Sequence, residues 1–160
     1  RNPLEANKAL VWLTGSLYGH DMSNIYTILP WFLITIPIII LLSYQLDVLN
    51  LGDAVATALG LKVKTIKMLL LILAVILAGS AISVVGGISF LGLIAPHIAR
   101  QLIGNKTLHV IIMSGLIGAI LLTFGDGLAR GIHPPLDIPV GVIIAIIGAP
   151  YFIILLRRMK

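Results

Sequence analysis

An all-α bundle of membrane-crossing helices, one polytopic transmembrane domain over residues 1–160, is the fold this sequence predicts. Three observations predict it. Of 160 residues, 59% are hydrophobic and 11% charged, where soluble domains carry roughly 25% charged residues. Mean hydropathy is +1.10. The charges gather at the ends of long uncharged runs, and those runs have the length of a bilayer crossing.

Residues 1–24 are mixed and polar, and Trp12, Tyr18 and Tyr26 stand at the first apolar edge, where aromatics suit the membrane–water boundary. The chain opens on Arg1 without a methionine or signal segment, and is read as a piece of something longer. No residue from Met22 to Leu46 is charged. The first span is placed at 25–46, with Pro30 in its early turns and Pro37 kinking its middle.

A short polar interruption follows, over residues 49–62. Leu51, Val55 and Leu59, with Ala58 beside them, recur at helical spacing and give a short helix with one apolar stripe. Asn50 is expected to cap it, Asp53 to favour its dipole from the first turn, and Gly60 to end it, with Lys62 and Lys64 beyond. Such a helix either rests on lipid and its own bundle or docks a separate soluble subunit.

The next uncharged run, Met68 to Pro96, holds 29 residues. As one helix it would stretch roughly 43 Å against a hydrocarbon core of ~30 Å. A break at Gly86-Gly87 is expected, with a span at 65–85 and a short returning helix at 88–104 containing Pro96. Further spans are placed at 107–126 and 138–156, the last followed by Arg157, Arg158 and Lys160. With the reversal, one side holds Lys62, Lys64, Lys67, Arg100, Lys106, Arg157, Arg158 and Lys160, and the other Arg1, Lys8 and Arg130. Eight against three makes the first side cytoplasmic, and with it the helix at 49–62.

Small residues four apart mark helix contacts: Gly79, Ser83 and Gly87; Ser114 and Gly118; Gly141, Ala145 and Ala149. Without partner helices such faces would lie open. No stretch matches a phosphate-binding loop, so this chain should bind no nucleotide. The absence of cysteine excludes disulfides, iron–sulfur clusters and thiolate metal sites. Histidines at 20, 97, 109 and 133 lack ligand spacing, and no metal site is expected. Asp126 and Arg130 are placed to pair on one helix face, and His97 after Pro96 reads as a structural hydrogen-bonder. An intramembrane aspartyl protease is excluded, because its Gly-x-Gly-Asp motif needs glycine where Thr123 stands and no span holds a second carboxylate.

The stretch Val85-Gly86-Gly87-Ile88-Ser89-Phe90-Leu91-Gly92-Leu93-Ile94-Ala95-Pro96-His97-Ile98-Ala99-Arg100 closely resembles the signature of FecCD-type permeases, the membrane subunits of ABC importers for iron–siderophores, haem and vitamin B12. Matches continue in family order with Trp12 and Gly15-Ser16, Leu49-Asn50-Leu51-Gly52-Asp53 with Ala56 and Leu59-Gly60, Asp126 with Arg130, and Pro139-Val140-Gly141 with Gly148-Ala149-Pro150.

The resemblance covers the whole chain and is similar to the C-terminal half of a ten-helix subunit. It implies that Leu51, Gly52, Asp53, Ala56, Leu59 and Gly60 form the region pressed by an ATP-binding subunit. Asp53 stands where many members carry glutamate, and Asp137 before Pro139 stands in a similar place. Arg130 is implied as the outward cation that meets a substrate-binding protein. Gly86, Gly87, Gly92, Pro96, His97, Arg100, Asp126, Pro139, Gly141 and Pro150 are implied as structural motif positions.

The resemblance also implies a second permease subunit, a place in a bacterial or archaeal cytoplasmic membrane, and no catalysis or cofactor in this chain, with ATP and magnesium in the partner. The implied cargo is a ferric siderophore, with haem or cobalamin behind it. Half of an ion-coupled secondary transporter is the alternative, and it would need an ionisable site at mid-membrane.

Overall fold

The computed structural model describes residues 13–17, 21–132 and 139–158. Arg1, Lys8, Trp12, Tyr18, His20, His133, Asp137, Ile138 and Lys160 lie outside them. From residue 21 on, the helices among the described residues are, in order, α1 Met22–Leu41, α2 Ser43–Leu49, α3 Asp53–Ala58, α4 Val63–Val85, α5 Leu91–Ile103, α6 Thr107–Ile132 and α7 Val140–Arg158. There is no strand among the described residues.

The described helices Met22–Leu41, Val63–Val85 and Thr107–Gly131 are long and apolar enough to cross a membrane. The apolar stretch Val140–Leu155 is shorter. Several of their hydroxyls are paired inside their own helix, whereas the buried Tyr151 hydroxyl has no hydrogen-bond partner among the described residues. Those of Thr27, Thr35, Ser80, Ser83, Ser114 and Thr123 donate to a carbonyl three or four residues earlier, which satisfies them within their own helix.

The first helix runs further than the expected 25–46. Leu42 keeps right-handed helical angles, its N–H bonds the Ile38 carbonyl and it receives the Leu46 N–H, so α2 continues α1 after a single-residue interruption. The long apolar run does end at Gly86, which takes φ 78°. The returning helix starts at Leu91 rather than near residue 88, because residues 86–89 pass through non-helical backbone and Phe90 is left-handed at φ 66°. Gly104 closes α5 at φ 80°.

Helix α4 lies along α1, α6 packs most extensively on α5, and α7 returns against α5 and α6. At one end of the bundle α2, α3 and the starts of α4 and α6 meet. At the other, segment 13–17 threads between the end of α4 and the start of α7, with the Ser16 N–H on the Val85 carbonyl and the Gly141 N–H on the Gly15 carbonyl. Small residues make that junction possible. A Cβ on Gly141 would land on the Thr14 carbonyl, and one on Gly15, at φ 73°, would come within 2.8 Å of Ile88. Gly148 likewise admits Phe90 and Ile94. Helix α6 turns another seam outward, since Gly115, Ala119, Thr123 and Gly127 are all exposed.

Candidate functional site

Helix α3 is short, and its geometry is fixed at both ends. Gly52, at φ 104°, is its N-cap, and the first helical residue is Asp53, whose carboxylate suits the dipole there. Asn50 does not cap α3. It ends α2 with right-handed angles, and its side-chain amide reaches the Thr107 hydroxyl at 3.5 Å. At the far end Gly60 is left-handed at φ 84°. Its N–H bonds the Thr57 carbonyl, and the Leu61 N–H reaches back to Ala56, the paired bonds of a Schellman stop.

The helix is seated by Ala56, which is fully buried; it is shorter than its apolar spacing predicts, with Val55 inside it, Leu51 ahead of its N-cap and Leu59 at its C-cap, and all three point outward. Leu51 is 65% exposed, Val55 44% and Leu59 64%. Ala56 therefore holds the helix to its own chain while the three large side chains face away. The Lys67 ammonium of α4 donates to both oxygens of Asp53, at 2.7 and 2.6 Å. Both partners are largely exposed, so the pair fixes orientation and contributes at most ~1 kcal/mol. Lys67→Ala should accordingly shift the melting temperature of the assembled subunit by only a few degrees.

A second tie was not visible in the sequence. The Asp47 carboxylate of α2 accepts the backbone N–H of Thr107, the first residue of α6, at 2.9 Å. This caps α6 from another helix, because that N–H has no partner within its own. The Thr107 hydrogen bonds, with the Lys106 charge adding to them, hold the Asp47 carboxyl below its ordinary value. A lowered folded value means the stabilisation is fully present above about pH 4 and is lost as pH falls through that value. Melting temperature should decline through this window in the unsubstituted protein, while Asp47→Asn, which keeps an acceptor but cannot titrate, removes that component.

At the opposite end, Arg130 Nε donates to Asp126 at 2.8 Å across one turn of α6. The arginine side chain is 59% exposed and the aspartate 23%. Gly125 lies against Val140 and Ile144, so this end of α6 is held by α7 with its cation facing out.

Between the ends, His97 meets Gln101 at 2.8 Å through Nε2 and sets its ring edge-on to Tyr151, with centroids 6.1 Å apart. Pro96 lies inside α5, Pro150 inside α7, and Arg100 in the last turn of α5, where a cation suits the dipole. Pro139 directly precedes α7. Gly86 and Gly87 lie in the break, whereas a Cβ on Gly92 would meet nothing. The left-handed Phe90 carried no sequence signal, as aromatic residues rarely adopt that conformation. Among the described residues no group of three or more His, Cys, Asp or Glu could hold a metal ion.

The sequence description of the FecCD transport family matches residues 1–158. The chain belongs to the FecCD transport family. Within it, 155 residues are 48% identical to the Fe(3+)-citrate import system permease protein YfmE of Bacillus subtilis, covering 97% of this chain and 46% of that protein. Over 158 residues the chain is 45% identical to the Fe(3+) dicitrate transport system permease protein FecD of Escherichia coli, 99% of this chain and 50% of that one. The iron(3+)-hydroxamate import system permease protein FhuG of Bacillus subtilis is 43% identical over 157 residues, 98% of this chain and 47% of it.

The chain thus spans about half the length of the curated relatives it matches. Those FecCD relatives are permease proteins of transport systems, not enzymes. A solved chain described as a metal-chelate type ABC transporter in an inward-facing conformation superposes with a TM-score of 0.90 at 28% identity, covering 99% of this chain and 51% of that one.

Proposed function

We propose that this chain is part of the membrane permease subunit of an ABC importer that moves ferric chelates, siderophore or citrate, across a bacterial or archaeal cytoplasmic membrane. The observation that carries this reading is α3, a capped helix containing Val55 and flanked by Leu51 and Leu59, all three of which face away from their own chain. An exposed apolar stripe beside an exposed ion pair supports a docking role, and the basic residues around it support a cytoplasmic position. An ATP-binding subunit there, holding ATP and magnesium, presses on α3 as it closes. A substrate-binding protein meets Arg130 on the other side, and a second permease subunit completes the pathway. This chain supplies no catalytic group and holds no cofactor. It is the bistable element that couples the two sites. The relatives' names, for Fe(3+)-citrate and iron(3+)-hydroxamate systems, support the cargo.

The test is reconstitution of the complete subunit with its ATP-binding and substrate-binding partners in vesicles. Uptake of ferric citrate or a ferric hydroxamate should require ATP and the ATP-binding subunit. Uptake that persists without that subunit would support the ion-coupled alternative instead. Arg130→Glu places a second negative charge one turn from Asp126. It should weaken binding-protein association about tenfold at low salt, with the difference shrinking as salt screens it; an equilibrium binding titration reads this directly.

A further inference from the structure

Two long helices of this chain, α4 and α6, contain no proline, whereas α1 carries Pro30 and Pro37, α5 Pro96 and α7 Pro150. Their backbone hydrogen-bond ladders therefore run without the break a proline forces. The five glycines of α6 remove side chains but no backbone bond. At about 1.5 Å per residue, α6 extends ~39 Å, from one bundle end to the other. These are also the two helices whose starts are tied to the segment around α3. Lys67 in the second turn of α4 grips Asp53. The first amide of α6 is gripped by Asp47, and the Thr107 hydroxyl is approached by Asn50. Val48 and Val110, neighbours of the second grip in sequence, are buried at 7% exposure each. The far end of α6 carries the Asp126–Arg130 pair.

We propose that Asp47 is a positioning residue for coupled transport. Its carboxylate on the Thr107 amide makes a push on α3 move α6, and so links the cytoplasmic docking helix to Arg130 across the membrane. Asp53 and Lys67 serve α4 in the same way, so the segment 47–53 acts as a fork with one prong on each uninterrupted helix. A contact through a backbone amide suits this role, since it seizes the helix itself rather than a side chain that can rotate. The inference rests on the reading of α3 as the docking helix.

The test uses the assembled transporter in vesicles and approaches the contact from both partners. Asp47→Ala removes the acceptor. Thr107→Pro removes the donor with the residue best tolerated at a first helical position. Three quantities are read: retention of the ATP-binding subunit, basal ATP hydrolysis, and the ratio of hydrolysis with loaded binding protein to hydrolysis without it. Both variants should keep the subunit, hold basal hydrolysis within about twofold, and lose at least fivefold in the ratio. Asp47→Asn, which still presents an acceptor oxygen, should restore it.

A ratio within twofold of the unsubstituted transporter in either assembled variant overturns the proposal. So does failure of both variants to assemble, which would make the contact one of stability alone. The docking reading is judged separately, by whether a charged residue in the α3 stripe displaces the ATP-binding subunit. Should that subunit stay bound, the docking reading fails whatever Asp47 does.

Discussion

Leu59→Glu should release the ATP-binding subunit while leaving the permease folded. Leu59, the C-cap of α3, is 64% exposed and ends a stripe that starts at Leu51, 65% exposed. Burying one leucine at an interface contributes about 1.5–3 kcal/mol, and a glutamate there adds the cost of desolvating a charge. Association should therefore weaken at least 30-fold, with coupled ATP hydrolysis falling in parallel. The fold should survive because the substitution touches none of the contacts that build the helix. Ala56 stays buried, Gly60 stays left-handed, and the Leu61 N–H still reaches the Ala56 carbonyl. Co-purification with a tagged permease, and circular dichroism of the same preparation, separate loss of docking from loss of structure.

Gly141→Ala should be the most damaging single-methyl change in the described chain. The added carbon would fall on the Thr14 carbonyl, and the same residue's N–H holds the Gly15 carbonyl at 3.2 Å. A flexible side chain could move aside, but a backbone carbonyl between two helices cannot. Overpacking of a close-fitting site usually costs 1–3 kcal/mol, and this one should lie at or beyond the upper end. Gly92→Ala is the matched control. A Cβ there meets nothing, and alanine within a helix gains about 0.5–1 kcal/mol over glycine. Melting of the two purified variants should differ by several degrees, with Gly141→Ala the lower. Equal melting would remove the steric account of the junction.

Much of the architecture could be read from residue order, because it rests on local physics. Uncharged length marks the spans, and a Gly-Gly pair inside an overlong run marks the break. Spacing of Leu51, Val55 and Leu59 marks a short helix that Gly60 must end, although only Val55 falls within it. What escaped the sequence depends on partners far along the chain. Asn50 looked like a cap because it precedes a helix, yet the helix before it continues to that point and Gly52 supplies the cap. The Asp47–Thr107 bond joins residues 60 apart, and nothing in either segment announces the other. Gly15, Gly87 and Gly141 read as separate small residues, although the structure gathers them at one crossing of backbones. Phe90 sits left-handed because the turn into α5 and its packing on Gly148 demand it, against its intrinsic preference.

The most direct test of the account is the side of the membrane on which α3 lies. These 160 residues hold no cysteine, so Leu59→Cys adds one labelling position, read against the same subunit without the substitution. In intact cells a membrane-impermeant thiol reagent should leave it unmodified. In inside-out vesicles the reagent should modify it, and the ATP-binding subunit should protect it. Modification from outside intact cells would contradict the account, placing the docking helix, and every side assignment built on it, on the wrong face of the bilayer.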